Sequence, residues 1–135
     1  MRLIHGLLDQ RGTIHRATEE VPGGMMTLTT SDSPEVTQLI RQHVRQMKER
    51  FDAGQPIRMW DPLYAELFAR RDKIKLEIQD APGGVTVRHT SEDPQTTQLI
   101  RRHAAAVSEF LDKGYDRVHQ PTTLPAGYTA TAPGR

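Results

Sequence analysis

The 135-residue chain contains no cysteine. Disulfides, thiolate metal sites and cysteine nucleophiles are excluded together, so the fold stands on packing alone and suits a reducing or an oxidising compartment. Charge of one sign is missing too: 18 Lys and Arg against 17 Asp and Glu leave a net +1, with no long block of either sign. Nucleic acid is therefore not an expected partner. Long hydrophobic runs are absent. The first eight residues are apolar apart from Arg2, His5 and Gly6, too short a run for a membrane span or a signal peptide. As written, the chain is expected to be soluble and cytoplasmic, or periplasmic if a leader has been removed. Catalytic fingerprints are lacking as well. Pro-Gly-Gly falls at hairpins and does not open a helix, there is no nucleophile elbow and no His-Glu-x-x-His run, and the six histidines are widely spaced. The balance leans away from an enzyme, with acid–base work by a pocket histidine left open and no substrate indicated.

What is present is a repeat. Thr37-Gln38-Leu39-Ile40-Arg41-Gln42-His43 returns as Thr97-Gln98-Leu99-Ile100-Arg101-Arg102-His103, sixty positions later. Reading the repeat first organises everything else. One unit covers 4–54, a linker 55–61, and a second unit 62–114; together they make a single domain of residues 1–120, followed by a flexible Pro/Thr-rich tail over 121–135 with little to bury.

Each unit reads as short helix, strand, strand, long helix. Leu3, Ile4, Leu7 and Leu8 have helical spacing, and their counterparts around Leu63 and Leu67 follow Asp61-Pro62, a cap with proline in the first turn. Ile74, Leu76 and Ile78 alternate with charged residues, as in a strand with one buried face. Pro82-Gly83-Gly84 turns the chain, and Val85, Val87 and His89 share the inner face of the return strand. In the first unit the offset puts Met25, Thr27 and Thr29 inward and leaves Met26 and Leu28 outside. Ser33-Pro34 and Asp93-Pro94 start the long helices and Gly54 and Gly114 stop them. Trp60, in the linker, is expected to fold back onto the core. The sum is an α+β protein: α-β-β-α units forming a four-stranded, mostly antiparallel sheet with two long helices on one face, about a pseudo-twofold axis. Its other face, with Met26 and Leu28, is expected to close against a second subunit in a homodimer.

The run Trp60-Asp61-Pro62-Leu63-Tyr64-Ala65-Glu66-Leu67-Phe68, then Asp72-Lys73-Ile74, Gly84-Val85, Ser91-x-Asp93-Pro94, and Ile100-x-x-His103-Ala104 with Val107-Ser108-x-Phe110, resembles a group of small uncharacterised bacterial proteins. The resemblance spans roughly residues 4 to 120. It carries no agreed chemistry. It implies an exporting leader, which this sequence does not show, and a histidine-rich stretch near a proline, of which only His119-Gln120-Pro121 is present here.

Both motif histidines fall inside apolar helix stripes. A neutral imidazole in an apolar pocket keeps its lone pair available, so His43 and His103 are candidate ligands for haem or a transition metal. Met47 lies one turn beyond His43 on the same face and could complete a His/Met set in the first unit, where the second has Val107. His89 is a possible third metal ligand, and Arg41 and Arg101 could receive propionates or another anion. The function expected is a small haem- or metal-binding carrier, sensor or electron-transfer partner. Against it stands a cofactor-free homodimeric interaction module, in which both histidines are core residues bonded to backbone carbonyls, Met47 is core filler, and the two arginines are solvated helix face.

Overall fold

The computed structural model describes the backbone of residues 2–130 and side chains from His5 onward. The side chains of Leu3 and Ile4 and the last five residues of the expected tail lie outside what is described. In chain order come α1 (Arg2–Asp9), β1 (Ile14–Val21), β2 (Gly24–Ser31), α2 (Pro34–Asp52), α3 (Pro62–Ala69), β3 (Lys75–Ala81), β4 (Gly84–Thr90), α4 (Pro94–Lys113) and α5 (Tyr115–Val118). A single 3-10 turn joins α1 to β1 and another joins α3 to β3. The protein is α+β. Its four strands form one antiparallel sheet in the order β1-β2-β4-β3, so the two hairpins meet along β2 and β4.

Local chemistry sets the helix starts. The side chains of Ser33, Asp61 and Asp93 accept hydrogen bonds from the backbone N–H groups of Val36, Leu63 and Thr96, and a proline follows each cap. At the hairpin turns Gly23 and Gly83 have φ of 80° and 76°, a region that side chains with a Cβ avoid. The next residue is glycine for a different reason: a Cβ on Gly84 would run into the carbonyl oxygen of Thr29 on the neighbouring strand.

The repeated motif explains how the halves lock. Thr37 Oγ1 donates to the carbonyl of Gly83 at 2.9 Å, and Arg41 donates to the carbonyls of Ala81 and Gly84 at 2.9 and 3.0 Å. Sixty residues on, Thr97 Oγ1 donates to Gly23 at 3.0 Å, and Arg101 to Val21 and Gly24 at 3.1 and 3.2 Å. Each long helix thus grips the hairpin turn of the other unit. Arg41 and Arg101 also sit 3.5 and 3.7 Å from Asp80 and Glu20 on those same hairpins. Guanidinium forks suit this work because several donors leave one rigid plane.

The inner face of the sheet carries the alternation set by the offset. Met25 and Thr27 are buried and Thr29 half-buried, while Leu28 is exposed and Met26 half-buried on the outer face. Burial concentrates where α3 and α4 meet, around Leu63, Leu67, Leu99 and Ala106, and where α2 meets the sheet, around Val36, Ile40 and Val85.

Two expectations are corrected. Trp60 is 57% exposed, its ring covered by the Arg58 guanidinium at 4.3 Å instead of by the core. Beyond Gln120 the chain is docked at several points as far as Tyr128, where composition suggested a free tail. Thr122 is fully buried, with its N–H and Oγ1 both donating to Asp61 Oδ2 at 3.1 and 2.8 Å. Tyr128 Oη donates to the buried Glu66 at 2.7 Å, and Leu124 and Tyr128 pack on the α3–α4 core. Few apolar side chains suffice here because buried carboxylates supply the anchor.

Candidate functional site

A cavity of about 570 Å³ lies between the long helices and the inner face of the sheet. Its walls are mostly aliphatic and aromatic: Ile40, Val44 and Met47 from α2, Ile100, Val107 and Phe110 from α4, Tyr64, Leu67 and Phe68 from α3, and Ile14, Leu76 and Val87 from the sheet. Volume and lining fall in the range of small-molecule sites, roughly 300–1,000 Å³ and largely apolar.

His43, His89 and His103 all line it. His43 and His103 arrive from α2 and α4, one turn past Leu39-Ile40 and Leu99-Ile100, whose side chains anchor each helix to the core. His89 projects from the inner face of β4, opposite Met25. The ring of His103 stands edge-on to His89 at a centroid distance of 5.9 Å and to Tyr64 at 5.2 Å. The units differ at this point, because sixty residues before His89 stands Thr29. Nδ1 of His43 is buried with no hydrogen-bond partner among the described residues. The expectation that core histidines would be tied to backbone carbonyls is therefore not met at that atom.

Burial holds these rings neutral. Desolvation lowers His43, and it takes His89 to about 4, with the Arg16 charge adding to the effect. His103 falls to about 3, through burial first and then through His89 and Arg16. Tyr64 rises to about 12, chiefly from burial, and stays a neutral phenol.

Arg16 was not foreseen. It stands on the inner face of β1, donating to Ser108 Oγ at 3.0 Å, Thr29 Oγ1 at 3.2 Å and the Ala104 carbonyl at 3.2 Å. Desolvation lowers it to about 10. The available signal was its place two residues after Ile14, an inward position in a strand where an apolar residue is the norm.

Other candidates stand elsewhere. Arg41 and Arg101 are struts to the hairpins and are not among the residues that line the cavity. His119 is away from the cavity, stacked at 6.5 Å on Tyr115. Met47 does line the cavity, alongside His43.

As a site for a bare metal ion the arrangement is poor. No group of three or more His, Asp and Glu side chains that could hold a metal is gathered among the described residues. Among those residues no carboxylate lines the cavity, and the Arg16 charge opposes a second cation beside His89 and His103. For a flat, mainly apolar group such as haem the walls are suitable: neutral imidazoles on three elements, a ring nitrogen with no partner among the described residues, and, among those residues, cations but no anions in the lining. Among the described residues no helix is long and apolar enough to cross a membrane. Comparison with known proteins gave no matching family model, no matching curated protein and no matching solved structure.

Proposed function

We propose that the protein binds haem in the cavity between its long helices and its sheet, as a carrier, sensor or electron-transfer partner. The observation that carries this reading is the convergence of His43, His89 and His103 on one apolar space of about 570 Å³, with a ring nitrogen of His43 left without a partner among the described residues. His43 and His103 are the residues to hold the group, with Met47 beside His43. Bound haem supplies redox or ligand-binding chemistry of its own; the chain supplies imidazole, a dry apolar wall and orientation.

Hemin titration tests this. The expected result is a shifted, saturable Soret band at one equivalent per chain, with affinity falling about tenfold or more in His43→Ala or His103→Ala, and unchanged in His119→Ala. A hemin spectrum the same as without protein sinks the haem reading and leaves a cofactor-free interaction module. The outer face of the sheet is the proposed contact with a second copy, since Leu28 is 38% exposed beside half-buried Met26. Light scattering should give a dimer, and Leu28→Glu a monomer; a monomeric wild type removes the contact.

A further inference from the structure

Among the described residues, four cations line the cavity and no carboxylate does. Two of the four are paired with carboxylates, and the third makes its bond within reach of solvent. Lys48 pairs with Asp52, Arg58 pairs with the buried Asp61 at 3.0 Å, and Arg50 donates to the carbonyl of Pro56 at 2.8 Å. Arg16 is different: its bonds run to two hydroxyls and one carbonyl, all neutral, and no carboxylate lies within ion-pairing distance among the described residues. A desolvated guanidinium without a counter-ion is costly, and proteins rarely keep one that nothing neutralises.

We propose that the ligand of this cavity carries a carboxylate and that Arg16 receives it. The inference rests on the cavity being a ligand site, as argued above, and extends to the charge of what it holds. Three hydrogen bonds to β2 and α4 fix the guanidinium plane before anything binds. A carboxylate arriving there gains charge-assisted hydrogen bonds in a water-poor space and supplies the charge that the protein omits. His89 and His103, neutral beside it, do not compete for the anion. The ligand class is therefore an apolar body bearing a carboxylate, which haem propionates and a long-chain fatty acid share.

Paired titrations separate the possibilities, with fluorescence of the sole tryptophan, Trp60 at the cavity wall, as the readout. Hemin is compared with its dimethyl ester, and palmitate with methyl palmitate. Wild type should bind one or both acids about tenfold or more tightly than the matching ester. Arg16→Gln should abolish that preference while leaving ester affinity unchanged. Arg16→Lys, which keeps the charge but not the fork, should retain a reduced preference. Equal binding of acid and ester by wild type overturns the inference without any substitution. So does an undiminished preference in Arg16→Gln, or in Arg16→Lys if the glutamine variant does not fold. Palmitate preferred over its ester with no hemin binding keeps the Arg16 assignment and removes haem. Binding of neither acid removes both.

Discussion

Lowering the pH from 7 to 4.5 is expected to cost the protein on the order of 3 kcal/mol of stability, before most of its carboxylates titrate. The sign follows from the buried imidazoles. In the unfolded chain a histidine takes up its proton near pH 6.5, whereas in the fold His89 resists to about 4 and His103 to about 3. Across that window the unfolded state binds more protons, so stability is fully present above about 6.5 and is lost as the pH falls. The rings are enclosed by protein yet touch the cavity, so water within it reduces the full linkage value. Urea midpoints at pH 7, 5.5 and 4.5 measure the effect. Replacing His89 and His103 together by leucine should flatten the profile. A flat wild-type profile, or a slope that survives the double substitution, contradicts neutral buried imidazoles.

Asp61→Ala is expected to destabilise the fold by about 3–5 kcal/mol, the usual cost of removing one member of a buried ion pair. One fully buried carboxylate does several jobs at once. Its oxygens cap α3 by accepting from the Leu63 N–H at 2.9 Å, pair with Arg58 at 3.0 Å and receive both donors of Thr122. Arg117, in turn, donates to Thr122 Oγ1 at 3.0 Å and to Glu109 at 2.7 Å. Alanine leaves the N–H groups of Leu63 and Thr122 and the Thr122 hydroxyl unanswered in the interior and removes the charge facing Arg58, a large share of the roughly 5–15 kcal/mol that holds a domain together. Thermal denaturation should show a fall in Tm on the order of 10 °C. Asp61→Asn, which keeps an acceptor for Leu63, should lose less. Protection of the Thr122 amide from hydrogen exchange should vanish in the alanine variant. A loss under 1 kcal/mol would show that residues beyond Gln120 do not depend on this carboxylate.

Much of the architecture was legible in the residues themselves. Strand alternation, turn glycines and capped prolines are local signals, and the sixty-residue offset carried them from the clear second unit to the less tidy first. That offset placed Met25 and Thr27 inward although apolar content alone would choose Met26 and Leu28. It worked because a strand one residue out of register turns every side chain over.

The site was legible in part. Helix periodicity brought His43, His103 and Met47 to the inner surface, and strand alternation did the same for His89. Periodicity assigns a face but not a neighbour. It could not separate Arg41 and Arg101, which reach sideways to a hairpin forty or more residues away in the other unit, from residues aimed at a ligand. Arg16 shows the converse. It contacts Thr29, Ala104 and Ser108, and the last two lie about ninety residues along the chain.

By itself, the sequence determined which elements form within the two units, though not α5, where they start and stop, and which side of each is apolar, because those properties depend on residues within a turn or two. Tertiary structure alone decided that Trp60 stays outside and that Thr122 goes in. It alone placed three histidines and an uncompensated arginine around one space. Those outcomes depend on charges and hydrogen-bond partners brought together from distant positions, and no local pattern encodes which groups will meet once the layers close.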